Sequence, residues 1–325
     1  MSMAKVFYSR ELQKLLPVLK NELKEKFRGC KKLAIKIHFG EPGNNYALKP
    51  EQVKPIIDIL NETGFGFFMF DSPVAYNSPR RSVEGYKKAA IQKGWNSLGE
   101  IRTNDDFVEI KGKSLTYQVC RELGNADGVL VISHVKGHVC CGFGGAIKNL
   151  GMGAQTKKTK SSIHSGGEPV LIGKCTQCKT CERECPINGI KVTDKPNFRL
   201  CLGCSNCAYV CPANALKPKV NYFDVLLAEA ANAAQSTFKK FYYVSIINNI
   251  TRKCDCESNP GELIAKDYGF ICSEDGVAID RAAHDIIAKD DGEVFLIYNK
   301  KTGLQQIEAA EKLGMGRQKY DMKIL

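Results

Sequence analysis

Two cysteine-rich segments dominate this sequence: CTQCKTCERECP at residues 175–186 and CLGCSNCAYVCP at residues 201–212. Each has the spacing C-x2-C-x2-C-x3-C followed by proline, and together they contain eight of the fifteen cysteines. Disulfides are not expected, because residues 1–7 show no apolar secretory segment. Zinc sites use pairs of C-x2-C, whereas these runs of four are unbroken. The pattern therefore indicates ligands for iron–sulfur clusters.

The spacing within each segment also predicts which cysteines share a cluster. Three thiolates at two-residue intervals can surround one face of a [4Fe–4S] cubane, while the fourth, next to proline, binds the other cluster. The first cluster would use Cys175, Cys178, Cys181 and Cys211, and the second Cys201, Cys204, Cys207 and Cys185. This exchange holds the two clusters close together, as an electron path requires. We therefore expect a bacterial-type ferredoxin module at about residues 168–220.

The composition is that of a soluble globular protein. Hydrophobic residues make up 43% and charged residues 25% of the chain, which excludes a disordered or fibrous class. The longest apolar runs, such as residues 66–70 and 128–132, are much shorter than the roughly 20 residues of a membrane span. We therefore expect a cytoplasmic protein with no membrane partner.

The formal net charge of +12 treats the cysteines as neutral, so cluster-bound thiolates would make the holoprotein less basic. Basic residues recur at 24–32 and 157–160, but no zinc-finger or RNP-type signature accompanies them. Nucleic-acid binding would rest on charge alone and is not expected. A redox partner protein, such as an acidic ferredoxin, or a small-molecule acceptor that carries phosphate fits the charge at least as well.

Outside the cysteine segments, helical and strand patterns alternate. Strands are predicted at residues 33–37, 66–70, 128–133 and 241–247, and helices near 10–27, 50–62, 80–93, 115–123, 221–238, 277–288 and 304–313. Such alternation predicts an α/β fold with a largely parallel sheet and helices on both faces. A polar stretch, Thr156–Gly167, precedes the cysteine module. We therefore expect an α/β domain (residues 1–167 and 221–325) interrupted by an α+β ferredoxin-like insert (168–220).

Chemically versatile side chains follow four of the predicted strands. His38 follows the first strand, Asp71 the second, His134 the third, and Cys254 with Cys256 a few residues beyond the fourth. Ligands of parallel α/β sheets bind at the carboxyl ends of the strands. These residues are therefore expected to face one crevice, with Asp71 orienting a ligand and His38 serving either as a ligand or as a buried structural histidine.

The loop after the third strand, SHVKGHVCCGFGGAIKNLGMG at residues 133–153, combines three kinds of functional group. His134 and His138 are candidate ligands or acid/base groups. Three glycines, Gly142, Gly144 and Gly145, would let the backbone approach a cofactor just before a helix start, where free amides favour an anion. Lys148 falls in the first turn of that helix. The alternative for the glycines is a tight turn, and the adjacent cysteines Cys140 and Cys141 are typical of buried packing residues.

Three interpretations of Cys254 and Cys256 stay open. The C-x-C pair can hold a metal ion if further ligands, such as histidines of the glycine loop, complete the site. The two cysteines can instead be redox-active thiols or simply packed side chains. Nearby, Arg80 and Arg81 could bind a carboxylate or phosphate. The alternative is a solvated helix start, although cations at a helix N-terminus oppose the helix dipole.

The sequence resembles the DUF362 family of iron–sulfur proteins. The matching segments are IKIHFGEPGN (35–44), Asp71-Ser72, residues 133–153, the double cysteine motif, NNITRKCDC (248–256) and GVAIDRAAHDII (276–287). The resemblance spans nearly the whole chain. It implies an α/β domain with an inserted ferredoxin module, and it implies no settled reaction.

A second resemblance is local and more distant. The segment from His138 to Lys148 is similar to the H-x3-G-[FY]-S-G-G-R-K element of the nickel-pincer lactate racemase family. In that family the histidine does acid/base work and the lysine holds the pincer cofactor, which implies these roles for His138 and Lys148. Gly144, Ala146 and Ile147 depart from the family pattern, so a nickel pincer is not implied here.

Two functions are compatible with these features. The first is an oxidoreductase or reductive maturation enzyme, in which the clusters pass electrons to a cofactor or substrate at the strand ends. The second is a non-catalytic electron carrier whose α/β part docks a redox partner. The His-Lys-Gly loop and the C-x-C pair favour the enzyme. No Walker A lysine or convincing dinucleotide fingerprint is present, so the sequence suggests neither ATP nor NAD, and an additional cofactor, if one is bound, would be flavin or a metal.

Overall fold

The computed structural model describes residues 3–325 and is built around one large β-sheet. The strands are β1 (Ala4–Ser9), β2 (Lys32–Ile37), β3 (Gly66–Phe70), β4 (Ile101–Arg102), β5 (Phe107–Lys111), β6 (Thr116–Cys120), β7 (Gly128–His134), β8 (Lys136–His138), β9 (Gly142–Gly144), β10 (Pro169–Leu171), β11 (Ile190–Val192), β12 (Pro196–Phe198), β13 (Leu216–Pro218), β14 (Phe241–Ile247), β15 (Gly269–Ser273) and β16 (Tyr320–Ile324). The helices are α1 (Leu12–Lys26), α2 (Pro50–Thr63), α3 (Val83–Gln92), α4 (Arg121–Asn125), α5 (Ala146–Gly153), α6 (Lys157–Gly166), α7 (Thr180–Arg183), α8 (Asn206–Tyr209), α9 (Phe223–Gln235), α10 (Gly276–Asp291), α11 (Val294–Asn299) and α12 (Leu304–Lys312). Short 3-10 turns lie at Pro79–Arg81 and Trp95–Ser97.

Eight strands form the central sheet, in the order β16-β1-β15-β14-β7-β2-β3-β4. Neighbouring strands are parallel except at β15, which is antiparallel to both β1 and β14. The predicted α/β fold with a largely parallel sheet is therefore confirmed. The sequence pattern does not predict β15 or the outer strands β1, β4 and β16.

Helices cover both faces of this sheet, which explains why its central strands are largely apolar. In β7, Leu130 and Ile132 pack in one core with residues of α1 and α2. Val129 and Val131 pack in the other core with residues of α5, α9 and α10. Because side chains alternate between the faces of a strand, each core receives every second residue. Among the helices of residues 3–325, none combines the length and the apolar composition that crossing a membrane requires.

The predicted helix at residues 115–123 is wrong. The structure has strand β6 there, paired antiparallel with β5, and the short helix α4 follows it. Tyr117 and Val119 of β6 are fully buried in the core shared with α9. Aromatic and β-branched residues at alternating positions fit a half-buried strand, and this packing outweighs the local helical pattern.

The polar stretch Thr156–Gly167, for which no helix is predicted from the sequence, contains helix α6. The Thr156 hydroxyl caps it by accepting a hydrogen bond from the Thr159 backbone N–H. Its inner face buries Lys160, whose ammonium donates to the Ser72 hydroxyl (2.8 Å) and to the carbonyls of Ser72 (3.1 Å) and Pro73 (2.6 Å). Burial lowers the pKa of Lys160 to about 8, although Asp71 acts to raise it.

The cysteine-rich segment folds as a small unit with two pairs of antiparallel strands, β10 with β13 and β11 with β12. Its core contains Cys181, Cys185, Ile190, Val192, Cys207, Ala208 and Leu216. Left-handed backbone conformations occur at Gln177, Lys179 and Asn188 in the first cysteine run and recur at Gly203, Ser205 and Asn214 in the second. The two runs therefore share one set of turns as well as one sequence pattern.

A buried ion pair ties this unit to the α/β domain. Lys301, which lies between α11 and α12, donates to the Asp224 carboxylate at the start of α9 (2.7 Å). It also donates to the carbonyls of Cys140 (3.0 Å) and Cys204 (2.8 Å). Both charged side chains are inaccessible to solvent, at 1% and 0% exposure. The backbone of the second cysteine run is thereby fixed against the glycine loop.

Removing one partner of this pair should be more damaging than removing both. Lys301→Met leaves the Asp224 charge buried and unpaired, which should lower the free energy of unfolding by about 3–5 kcal/mol. Adding Asp224→Leu should restore a large part of that loss. The measurement is urea unfolding of the anaerobic holoprotein, followed by circular dichroism. Lys54→Met, which breaks an exposed pair with Asp58, is the control and should cost at most about 0.5 kcal/mol. A double variant as unstable as Lys301→Met would contradict the expectation.

Lys160 should make stability depend on pH in the alkaline range. Its pKa is about 8 in the folded protein and about 10.4 when unfolded. The unfolded state binds more protons between these values, so the free energy of unfolding should rise with pH there. This contribution is fully present above about pH 10.4 and is lost as the pH falls through about 8.

Between about pH 7 and pH 10, the free energy of unfolding measured in urea should rise less with pH in Lys160→Met than in the parent protein. Lys136, whose pKa burial also lowers to about 8, acts in the same direction as Lys160, whereas the raised pKa values of the buried thiols Cys120 and Cys272 act in the opposite direction and are common to all variants. Lys158→Met, at an exposed position of the same helix, is the matched control. Equal pH profiles for the two variants would rule out the assignment to Lys160.

Candidate functional site

The eight cysteines of the two runs line two separate cavities. Cys175, Cys178 and Cys181 line the first together with Cys211 from the second run. The second is lined by Cys201, Cys204 and Cys207 together with Cys185 from the first run. The fourth cysteines are thus exchanged between the runs, the arrangement that the spacing predicts for two clusters.

Backbone amides point at sulfur atoms in both cavities. The Gln177 N–H donates to Cys175 Sγ and the Gly203 N–H to Cys201 Sγ, each at 3.3 Å, and both donors have left-handed conformations. The Gly189 N–H donates to Cys185 Sγ at 3.2 Å. Amide hydrogen bonds to sulfur are among the interactions that tune iron–sulfur clusters. Four thiols with amides aimed at the sulfur atoms thus converge in each cavity, which is compatible with iron–sulfur ligation.

In the α/β domain, strands β14, β7, β2 and β3 are neighbours and run in the same direction. Their carboxyl ends therefore meet at one edge of the sheet, and the residues that follow them lie there together. His38, Asp71 and His134 occupy these ends directly, and the loop after β14 brings Cys254 and Cys256 to the same edge.

Asp71 is bound by groups of the protein itself. Its carboxylate pairs with the Lys36 ammonium at 3.0 Å and accepts a hydrogen bond from the Tyr86 hydroxyl. Lys36 also donates to the Asn149 side chain of α5 at 2.6 Å. Burial, and then Asp71, raises the pKa of Tyr86 well above its usual value. Asp71 thus fixes Lys36 at the strand ends, a residue that the sequence analysis does not single out.

His38 and Arg80 belong to a second internal network. His38 Nδ1 accepts from the Gly40 N–H at 2.9 Å, and Arg80 lies 3.0 Å from His38 Nε2. The Arg80 guanidinium is fully buried and forms an ion pair with Glu41, so the carboxylate it binds is the protein's own. This pairing corrects the expectation that Arg80 binds the carboxylate or phosphate of a ligand. Burial, followed by Arg80 and Lys148, lowers the pKa of His38 well below its usual value, so the ring is neutral at pH 7.

His134 fixes the backbone between the two cysteines of the C-x-C pair. Its Nδ1 lies 2.7 Å from the Asp255 carboxylate, and its Nε2 lies 2.8 Å from the Asn248 carbonyl oxygen. Lys136 lies 3.8 Å from the other Asp255 oxygen. Burial alone would raise the pKa of Asp255, but His134 and Lys136 outweigh it and hold that pKa below its usual value. Both ring nitrogens of His134 are therefore engaged within the protein.

The glycine loop differs from the predicted anion site. Helix α5 begins at Ala146, but the Asp280 carboxylate of α10 accepts from the Ala146 and Ile147 N–H groups at 2.6 and 2.9 Å. The anion at this helix start is thus supplied by the protein itself. A Cβ atom at Gly145 would lie 2.2 Å from Asp280, and one at Gly142 would lie 2.2 Å from the Lys301 carbonyl oxygen. These two glycines are explained by close packing, and Asp280 is a further residue that the sequence analysis does not identify.

Gly144 is different, because a Cβ atom there would make ordinary contacts with His138 and Lys148 at 3.7 to 3.8 Å. Gly144 therefore lies beside the two residues that carry the chemical groups of the loop. Lys148 Nζ lies 3.5 Å from Cys254 Sγ, and a ring nitrogen of His138 and the sulfurs of Cys254 and Cys256 lie within 4.8 Å of one another. The two cysteines are joined by a disulfide.

Both basic groups of this site are shifted toward their neutral forms. Burial lowers the pKa of Lys148, while Cys141, Asp255 and Asp71 act to raise it. Burial, and then Lys148, lowers the pKa of His138 well below its usual value. Within residues 3–325, no carboxylate forms an ion pair with Lys148, and the hydrogen bond from its ammonium goes to Cys254 Sγ.

The second cysteine run packs directly against this site. The Leu202 carbonyl lies 2.7 Å from Nδ1 of His164 on α6. The Phe223 ring lies between two histidines, with its centroid 5.1 Å from that of His164 and 6.4 Å from that of His138. A short chain of packed side chains therefore joins the second cavity to His138.

Two buried lysines near the strand-end site, Lys36 and Lys136, are not identified as site residues from the sequence. Lys36 interrupts the apolar strand LAIKI, and Lys136 falls within SHVKGH, yet both are almost inaccessible. A lysine in a strand that is covered on both faces needs a buried partner, and this signal could have identified both residues.

The solved structures that are similar to this chain include the following. A solved structure of a protein from Thermotoga maritima is similar, with a TM-score of 0.44 and 10% identity over 93% of this chain and 59% of that one. The lactate racemase apoprotein from Thermoanaerobacterium thermosaccharolyticum is similar, with a TM-score of 0.41 and 9% identity over 75% of this chain and 51% of that one. The chain thus spans little more than half the length of either structure. A search of curated proteins gave no match.

The sequence profile described as "Domain of unknown function (DUF362)" matches residues 33–285. This range includes all four strand ends, the glycine loop, both cysteine runs and the C-x-C pair. Since the match covers well over half of the chain, the protein belongs to the DUF362 family.

Proposed function

We propose that this protein is an iron–sulfur electron-transfer protein that carries two [4Fe–4S] clusters and acts as an oxidoreductase or reductive maturation enzyme. The observation that carries the proposal is the contact between the two sites. The second set of four cysteines adjoins the strand-end site through Leu202, His164 and Phe223, and Lys301 bonds to both Cys204 and Cys140.

When bound, the clusters would supply one-electron transfer, and the α/β residues would hold the acceptor. Lys148 is suited to bind an anionic group, because its ammonium is enclosed and has no carboxylate partner among the described residues. Burial lowers the pKa of His138 well below its usual value, so its neutral ring offers a nitrogen beside Lys148 as a hydrogen-bond partner or a ligand. A pure carrier has no need of this arrangement, which is why we favour the enzyme.

Electrons would reach the first cluster from a partner protein. Leu171 lines the first cavity and is 42% exposed, and the adjacent Ile172 is 53% exposed, so apolar surface is available there. Lys174 and Lys179 lie close by in sequence and would favour an acidic partner such as a ferredoxin. The thiols that the clusters require stay reduced in the cytoplasm, where we place the protein. If the α/β site binds no acceptor, the same surface would serve a non-catalytic carrier.

The anaerobically purified protein should contain about eight iron and about eight acid-labile sulfide per chain, because each cavity offers one set of four thiols. Cys185→Ser should damage the cluster held by Cys201, Cys204 and Cys207. Its electron paramagnetic resonance spectrum should therefore resemble that of Cys204→Ser and differ from that of Cys178→Ser.

Cys30→Ser and Cys120→Ser are the controls for this series, since neither residue lines either of the two cysteine cavities, and both should keep the full iron content. A spectrum of Cys185→Ser that matches Cys178→Ser would exclude the exchanged ligands.

Lys148→Ala and His138→Ala should each abolish reoxidation of the reduced clusters by the acceptor while leaving the iron content unchanged. Candidate acceptors come from mass spectrometry of small molecules released by the anaerobic protein. Reoxidation is then followed by cluster absorbance after rapid mixing. Lys158→Ala, an exposed lysine on α6, should behave like the parent protein. Unaltered rates in both site variants would favour the carrier over the enzyme.

A further inference from the structure

We infer that His138, Cys254 and Cys256 form a site for one divalent metal ion of borderline softness, with zinc as the first choice, separate from the two clusters. This inference rests on the proposed function, because it names the cofactor at the strand ends that the proposed function leaves open. Metal binding can nevertheless be measured independently of electron transfer.

The three ligand atoms are already close enough for coordination. One ring nitrogen of His138 and the two sulfurs lie within 4.8 Å of one another. Ligands of a tetrahedral zinc ion, at about 2.3 Å for sulfur and 2.0–2.1 Å for nitrogen, are separated by roughly 3.4–3.8 Å. Moving these side chains by about an ångström would complete the geometry. Thiolate and imidazole together select zinc or copper over magnesium or calcium.

The surroundings of His138 leave one ring nitrogen free for a metal. Cys141 Sγ lies 3.1 Å from His138 Nδ1, and the Cys141 thiol donates its own hydrogen to the Phe143 carbonyl at 3.1 Å. The backbone N–H groups of Cys140 and Cys141 also donate to Nδ1, at 3.3 Å each, so in the metal-free ring Nδ1 is an acceptor and the proton lies on Nε2. A metal ion that binds Nε2 would displace this proton to Nδ1, where Cys141 Sγ is the acceptor. Metal-binding histidines generally donate the other ring N–H to a neighbouring acceptor in this way. Cys141 is therefore a positioning residue for His138.

The C-x-C segment is held rigidly from the opposite side. The Asp255 carboxylate is bound by His134 and lies 3.8 Å from Lys136. The Tyr76 hydroxyl donates to the Cys256 carbonyl at 2.8 Å. These contacts fix the backbone on either side of the two sulfurs. A C-x-C pair alone supplies too few ligands, and His138 adds the third.

The local charges suit a thiolate-bound metal and indicate what it would bind. Two thiolates balance a divalent ion, so the neighbouring Lys148 ammonium can donate to Cys254 Sγ without facing a net positive centre. Three protein ligands leave one position open for water or a substrate, as in catalytic zinc sites. An anionic group, such as a carboxylate, would be held there by the metal and by Lys148 together.

Loading the site requires reduction of the disulfide between Cys254 and Cys256. Two electrons and two protons convert the disulfide to two thiols, and the metal ion then displaces both thiol protons. The reductant is a cellular thiol or the two proposed clusters, each of which supplies one electron. In the alternative, Cys254 and Cys256 cycle between disulfide and dithiol without binding a metal. Zinc analysis of the reduced protein separates these two possibilities.

The test uses the full-length holoprotein, purified anaerobically, reduced with dithionite and supplied with zinc alone. Elemental analysis should give about one zinc per chain, and X-ray absorption at the zinc edge should show two sulfurs near about 2.3 Å and nitrogen or oxygen near about 2.0–2.1 Å. Cys256→Ser and His138→Ala should reduce zinc to below about a tenth of the parent content with iron unchanged. Cys272→Ser, a buried cysteine of β15, should keep both metals.

Two results would overturn the inference. The first is a zinc-free parent in which both Cys254 and Cys256 react with an alkylating reagent after reduction. The second is zinc with four sulfur neighbours, which would place it in the cysteine runs. If a variant unfolds, Cys141→Ala provides a second measurement and should weaken zinc binding by about 10- to 100-fold. Zinc at this site with no iron in the protein would support the zinc site and refute the proposed iron–sulfur function. Full iron content with no zinc would refute the zinc site and leave the proposed function supported.

Discussion

Four adjacent strands, β14, β7, β2 and β3, run parallel, so their carboxyl ends meet at one edge of the sheet. The residues that follow each strand therefore lie side by side along this edge, however far apart they are in the sequence. This constraint explains why His38, Asp71, His134 and the C-x-C pair lie together although more than 200 residues separate the first from the last.

Most charges at this edge are neutralised within the protein, and that arrangement isolates the groups that remain. Lys36 pairs with Asp71, Arg80 with Glu41, and Asp280 with the amides of α5. Each of these residues is almost completely buried, so an unpaired partner would be costly. Lys148 stands apart because its neighbour is a sulfur atom rather than a carboxylate. The residues around the pair of cysteines are thus held by internal ion pairs and hydrogen bonds, while Lys148 beside that pair has no carboxylate partner among the described residues.

The sequence predicts those features that depend on local spacing or on the alternation of strands and helices. The exchanged cysteine sets follow from residue spacing, and the parallel sheet follows from the order of its elements. Features that depend on distant partners could not be predicted in this way. The strand at residues 116–120 forms because Tyr117 and Val119 are buried beside α9, and the helix start at Ala146 is capped by Asp280, which is 134 residues away. Likewise, no local pattern indicates that Arg80 pairs with Glu41.

The chain enters and leaves the cysteine module at neighbouring points. Pro169 of β10 lies opposite Pro218 of β13, and the Val220 N–H donates to the Gly166 carbonyl at 2.9 Å. A short turn could therefore bridge the two ends, and the path of the chain through the α/β domain would be unchanged. The module can therefore be removed or replaced as one continuous segment while the strand order of the α/β domain stays the same. An α/β domain of this kind without the cysteine module is sterically feasible.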